Sequence, residues 1–288
     1  GLTGVDQVEV VKGPQSAYFG RSTFAGAINF ITRAPAETLK GSLDASYASF
    51  GTAEISGSIE GGLGVDWLTG RVTARHYETD GAWDNQFFGG KLGSRETNAF
   101  SVSLRAQPSE QLSIRAFFAA WEDSDGPSAQ AALTEADYNC NAGGNGRAVR
   151  GLNYVCGEIG NTPEARLAQN TAQVGTAGFA ALVGGTPVHD ANFIDHMGLE
   201  RDAYQSTLML DWELGSHSLA GLFGKSSNQW GAVTETYNRP DPGYFRLVYL
   251  PYDFTNSSAE LRLTSPADQR FEYMIGTNYY EESIFLGS

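Results

Sequence analysis

The chain has 288 residues, with 19 basic against 33 acidic side chains and a formal net charge of −14. That balance lacks the basic footprint of a nucleic-acid-binding protein, so no nucleic-acid partner is expected. No apolar run approaches the roughly 20 residues of a membrane-spanning helix; the longest, Ala116–Trp121, is far shorter, which leaves one large β domain or two ordinary domains open.

The first element is a compact strand–turn–strand unit, VEVVKGPQSAYFGRSTFAGAINFITRAP, from Val8 to Pro35. Two β-rich runs, Val8–Val11 and Ala27–Thr32, flank a knot of glycine, proline and small polar residues. Pro14 has no backbone donor and ends the first run. Gln15–Phe19 is expected to make one helical turn, closed by Gly20 in a left-handed conformation. Gly26 lets the backbone pack closely as the second run returns.

From Lys40 the pattern changes to segments of about ten residues in which apolar side chains alternate with polar or small ones. Leu43, Ala45 and Tyr47 oppose Asp44 and Ser46; Ile55 and Ile59 oppose Glu54 and Glu60; Val72 and Ala74 oppose Arg71 and Arg75. Phe100, Val102 and Leu104 oppose Ser101, Ser103 and Arg105, and Leu112, Ile114 and Ala116 oppose Ser113 and Arg115. A period of two predicts strands. Four weaker segments extend the series: Ala203–Leu214, His217–Trp230, Phe254–Thr264 and Gln269–Ser283.

The joints between strands alternate in length. GGLGVD, PSEQ, ELGSH and SPADQ are tight, whereas 79–97, 123–200 and 231–251 are long and FGT is short. Long connections therefore collect on one rim and tight turns on the other, as in an up-and-down membrane barrel. Strands of ten residues or more also suit tilted membrane crossings better than the five or six usual in soluble sheets. Tyr47, Phe50, Trp67, Tyr77, Trp121, Trp212, Trp230 and Tyr252 lie near strand ends, where interfacial girdles are expected. The fold class is thus all-β, an antiparallel transmembrane β-barrel of about nine strands over residues 37–288.

The two cysteines, Cys140 and Cys156, share a glycine- and asparagine-rich stretch. One loop-closing disulfide in an oxidising compartment is the expectation, against two unpaired thiols in a cytosolic loop.

The opening unit resembles the end of the plug domain of TonB-dependent outer-membrane receptors. Lys12-Gly13-Pro14, the Tyr18-Phe19-Gly20-Arg21 turn and Gly26-Ala27-Ile28-Asn29 fill that family's pattern, and ELRLTSP (Glu260–Pro266) is similar to one of its barrel-strand endings. The resemblance implies that residues 1–36 are the C-terminal part of a plug seated inside the barrel. It implies location in the outer membrane of a Gram-negative bacterium, with membrane lipid as a partner. Energy-coupled import of a scarce nutrient is the implied activity, most often of a ferric siderophore or other iron complex, driven by the TonB complex through an N-terminal segment outside this chain. Basic plug residues in that family pair with glutamates of the wall; Lys12 with Glu260 is the candidate pair, against a solvated Lys12. Nine strands against the family's twenty-two, with unpaired edges prohibitive in lipid, suggest an internal stretch of a longer receptor.

Ligand contacts are expected in the loops, where Trp83, Phe87, Phe88, Tyr237, Tyr244 and Phe245 can stack on an aromatic siderophore or a sugar, or else pack among themselves. The longest loop holds nine acids against three arginines. Its His189, Asp190, Asp195 and His196 are of types that ligate metals, although their spacing matches no standard zinc pattern and an acidic loop is ordinarily just solvated. Ser128–Tyr138 is a candidate short helix. No HExxH, GxSxG, Walker A or CxxC motif occurs, the four histidines are scattered, and neither an enzyme nor a cofactor is expected. An outer-membrane barrel enzyme and a soluble β-rich adhesion module are the competing readings.

Overall fold

The computed structural model describes residues 5–14, 24–85, 90–130, 140–141, 153–154, 197–235, 247–267 and 269–287. Its elements in chain order are β1 (Val5–Lys12), β2 (Gly26–Thr32), β3 (Lys40–Ala48), β4 (Thr52–Gly62), β5 (Leu68–Thr79), β6 (Trp83–Asp84), β7 (Lys91–Leu92), β8 (Arg95–Ser109), β9 (Leu112–Asp125), β10 (Cys140–Asn141), β11 (Asn153–Tyr154), β12 (Gly198–Leu214), β13 (His217–Glu235), β14 (Leu247–Thr264) and β15 (Met274–Leu286). Nine of them form one antiparallel sheet in the order β15-β14-β13-β12-β9-β8-β5-β4-β3. Each long strand pairs with its neighbours along the chain, β6–β7 and β10–β11 being two-stranded hairpins inside the loops. This is the meander expected from the joint lengths, with tight turns at 63–67, 110–111 and 215–216 on one rim.

The strands are longer than the apolar alternation predicts. β12, β13 and β14 run 17, 19 and 18 residues. The long connections shrink accordingly: the segment 79–97 becomes 80–94, 123–200 becomes 126–197, and 231–251 becomes 236–246. The extra residues lie beyond the apolar band, where both faces meet polar surroundings and the alternation loses its contrast while the backbone ladder continues.

Two local features show how the chain accommodates this geometry. The first joint, Phe50–Gly51, has φ of 65° at both residues, the signature of the two-residue turn whose twist matches a hairpin. A bulky residue there is unusual; the Phe50 carbonyl is held by the Asp80 N–H at 3.0 Å and the Thr79 hydroxyl at 3.2 Å. Pro251 sits inside β14, but its carbonyl faces the end of β15, accepting from Gly287 N–H. Because a residue's N–H and C=O point to the same side of a strand, the missing donor faces the end of that neighbour and the β13 ladder is intact.

Among the described residues only Leu92, Met197, Ala203, Val233 and Tyr249 are buried hydrophobics. A soluble sheet of this size would cover one face with a core. Here the convex face instead presents Leu43, Ile55, Ile59, Val72, Phe100, Leu104, Phe118, Leu208 and Phe223, all exposed. The register puts Glu54, Arg75, Ser101, Ala119 and Gln205 on the other face. The β1–β2 hairpin lies on that concave side, where Phe30 and Thr32 share a cavity with β5, β8, β9 and β12.

Four of the expected girdle aromatics are corrected by the same register. Tyr77 and Trp121 line the concave cavity, and Trp230 and Tyr252 lie in the register row of Arg201, stacked with ring centroids 5.4 Å apart. Their parity matches the inward arginines rather than the outward aliphatics. Tyr47 and Trp212 do alternate onto the convex face.

Candidate functional site

The β1–β2 hairpin is shaped by its glycines. Gly26 has φ of 144°, and a Cβ built there would lie 2.5 Å from the Val11 carbonyl oxygen, a contact only glycine avoids. β1 ends at Lys12, two residues before Pro14, and Gly13 N–H bonds back to Ala25 C=O at 3.2 Å. Asn29 donates to Glu9 across the ladder at 3.1 Å.

Arg33–Ala36 then carries the chain from hairpin to wall, and two buried wall residues clasp it. Glu60 and Arg71 are cross-strand partners, 7% and 5% exposed. Arg71 Nε donates to Glu60 Oε2 at 2.9 Å and its Nη2 to the same oxygen. The rest of the guanidinium donates to the carbonyls of Arg33 and Ala34 at 3.0 and 3.1 Å. Glu60 in turn accepts from the Ala36 N–H and the Arg33 guanidinium, both at 3.1 Å. Pro35 is buried beneath them. Two charges out of water are tolerable only when paired and fully hydrogen-bonded, and the exit segment supplies the groups that complete the set.

Above the clasp a cavity of about 900 Å³ separates the hairpin from the wall. Guanidinium and aromatic groups alternate along it. Arg75 Nε bonds Glu54 at 2.7 Å and its guanidinium lies 5.2 Å from the Tyr77 ring centroid. Nearer the long-loop rim, Asp123 accepts from Thr97 at 2.6 Å and lies 3.1 Å from Arg201 Nε. Such a lining offers hydrogen-bond donors, acceptors and flat π surfaces to a polar solute, the pattern of a binding or conducting wall.

Lys12 is exposed at the end of β1, and Glu260 is held by Arg262, two residues along its own strand, rather than by the plug lysine. The ion pair between the segment leaving the hairpin and the large sheet, among the described residues, is Arg33–Glu60. Trp83 is exposed on β6 in the first long loop. Gly20, Arg21, Phe87, Phe88, Tyr237, Tyr244 and Phe245 lie outside the described residues, as do His189, Asp190, Asp195, His196 and most of Ser128–Tyr138. Among the described residues no group of three or more His, Cys, Asp or Glu is placed to hold a metal ion. Cys140 is disulfide-bonded, and Cys156 lies outside the described residues.

No family model matches the chain. The pesticin receptor of Yersinia pestis is 33% identical over 115 residues, which is 38% of this chain and 16% of the receptor. The vitamin B12 transporter BtuB of Photobacterium profundum is 28% identical over 111 residues, 38% of this chain and 15% of that protein. In structure, the ferric yersiniabactin uptake receptor FyuA from Yersinia pestis matches 98% of the chain with a TM-score of 0.64 at 18% identity, covering 37% of that receptor. The ferripyoverdine receptor of the outer membrane of Pseudomonas aeruginosa, bound to ferripyoverdine, matches 98% with a TM-score of 0.65 at 14% identity, covering 32% of it. The chain thus spans about a third of the length of these solved relatives. The nine-strand meander and the hairpin on its concave face thus share the fold of these outer-membrane receptors.

Proposed function

We propose that the protein containing this chain imports a scarce nutrient across the outer membrane by an energy-coupled route, with a ferric siderophore or other iron complex as cargo. The observation that carries this reading is the hairpin seated on the concave face and clasped at its exit by Glu60 and Arg71, with the long loops confined to the opposite rim. A stopper tied to a wall has a purpose only where passage is gated. In this reading cargo is captured by the loop aromatics (Trp83, Phe87, Phe88, Tyr237, Tyr244 and Phe245) and passes to the guanidinium- and aromatic-lined cavity. The TonB complex then pulls on the plug from the tight-turn side. The disulfide of Cys140 is proposed to close on Cys156 and brace the longest loop.

The similarity to receptors named for ferric siderophore uptake favours iron over other cargo, and the similarity to a vitamin B12 transporter sets the competing arm of the test. Deletion of the intact gene should abolish growth on, and radiolabelled uptake of, at least one ferric siderophore under iron starvation, with cobalamin-dependent growth unchanged. Unaltered iron uptake with lost cobalamin uptake would move the cargo. Unaltered uptake of both would overturn the import reading.

A further inference from the structure

One buried polar atom on the concave face is left unpaired by the fold. Asn228 on β13 alternates inward between its cross-strand partners Ala203 and Phe254. Its Oδ1 is buried and has no hydrogen-bond partner among the described residues. Asn256, on the same face of β14, is satisfied by contrast, its Nδ2 donating to Ser226 Oγ at 2.9 Å. A buried acceptor without a partner is unfavourable, and a native protein that keeps one has a reason to. Arg201 is a diagonal cross-strand neighbour of Asn228, about 7–8 Å away at the backbone. Its Nε lies 3.1 Å from Asp123 Oδ2, yet it is buried and not aligned to donate a hydrogen bond.

Flat rings stand beside these two groups. Trp230 is the cross-strand partner of Arg201, and Tyr252 that of Trp230. Tyr252 and Phe254 continue the stack at 6.5 Å with an interplanar angle of 11°. An acceptor, a donor and a staircase of π faces thus meet on three adjacent strands, and Arg201 joins them to the cavity beneath the hairpin. Charge narrows the occupant. The three guanidiniums of that cavity each stand against a carboxylate: Arg75 bonds Glu54, Arg201 is paired with Asp123, and Arg95 is cross-strand from Asp125. A polyanion would find each of them already matched. Toward the rim stand Glu78, Glu96, Glu122, Glu200 and Asp202, and segment 126–197 holds six acids against three arginines. That field opposes the approach of an anion.

Resting on the import reading above, we infer that this site binds a secondary amide of a peptide-like cargo that carries no net negative charge. The amide N–H donates to Asn228 Oδ1, its carbonyl accepts from the Arg201 guanidinium, and its plane lies against the Trp230–Tyr252–Phe254 staircase. A secondary amide carries one donor and one acceptor on a flat, uncharged frame, which is what the site is short of. A carboxylate or catecholate offers acceptors only and would leave Asn228 unpaired.

The test uses the intact protein in iron-starved cells, with radiolabelled iron complexes bound in the cold and taken up on warming. A neutral ferric trihydroxamate on a cyclic peptide should be retained and imported, and a trianionic ferric tricatecholate should not. Asn228→Leu should weaken binding of the peptide complex about five-fold, the share of one hydrogen bond. The same change should leave the thermal stability of the purified protein equal or higher, because it removes an unpaired buried atom, so the weaker binding is not a folding defect. Unchanged binding by Asn228→Leu would overturn the site. So would retention of the tricatecholate over the peptide complex, or retention of neither by cells that import another iron complex through this protein. Deletion of the gene with no change in uptake of any iron complex would instead overturn the import reading, and the site would have no cargo.

Discussion

The concave and convex faces are written by alternate residues of the same strands, yet they obey different rules. On the concave side charges are frequent and several are tied to a neighbour: Arg75 to Glu54, Arg71 to Glu60, Arg201 to Asp123, Arg115 to Asp211. On the convex side the band from Leu43 to Leu261 is mostly aliphatic and aromatic, with Lys225 and Glu281 in one register row, and the acids Glu78, Glu96, Glu122 and Asp202 stand toward the long-loop rim. The difference teaches that one strand sequence encodes two solvents. Inside, charges are paired along the height of the wall; outside, intramolecular polar pairs such as Gln229–Asp253 and Ser124–Glu200 occur toward the long-loop rim.

The sharpest way to break the comparison is at the clasp. Arg71→Met leaves Glu60 buried without its guanidinium and frees the carbonyls of Arg33 and Ala34. Removing one partner of a buried pair costs about 3–5 kcal/mol. Hydrogen exchange at the Ala36 amide and protease cleavage between hairpin and wall should accelerate accordingly. The double change Glu60→Gln with Arg71→Met should recover part of the loss, because no uncompensated charge remains. Unchanged exchange in the single variant would show that the exit segment is held by something else.

The next largest effect contrasts the two faces of one strand. Leu104→Arg puts a cation into the convex band and should destabilise the protein by about 2–4 kcal/mol in lipid vesicles, measured by urea unfolding. Ser101→Arg, three residues away on β8 but facing the concave cavity, should change stability by less than about 1 kcal/mol. Similar losses for both would mean that the two faces see the same environment.

Much of this was legible in the residues. Period two gives nine wall strands, and joint length gives the rims, because both are local. The long-loop strand ends were not legible: from Gly231 to Glu235 and from Leu247 to Asp253 no apolar contrast remains, and only cross-strand pairing reveals a ladder. Trp121 and Tyr77 were legible by parity, being in step with Arg115 and Arg75, but nearness to a strand end suggests a girdle instead. The clasp was half legible. Alternation puts Glu60 and Arg71 on one face, yet their engagement of Arg33–Ala36 depends on where the chain leaves the hairpin. Arg262 as the partner of Glu260 is a same-face neighbour two residues on, visible in ELRLT.

The smallest effect tests the upper edge of the convex band. Asp202 stands in register with Glu122 and Gln229, above the Phe118–Tyr204 stack. Asp202→Lys, unlike Leu104→Arg, should shift vesicle stability by only about 0–1 kcal/mol, since charge on the lipid face matters little near the interface. The strand is continuous through both positions, so backbone pairing cannot account for a difference between them; only depth in the membrane can. If Asp202→Lys were as damaging as Leu104→Arg, the hydrocarbon would have to reach the Asp202 level. The polar ends of β9, β12 and β13, with Glu122 and Asp202, would then lie within lipid.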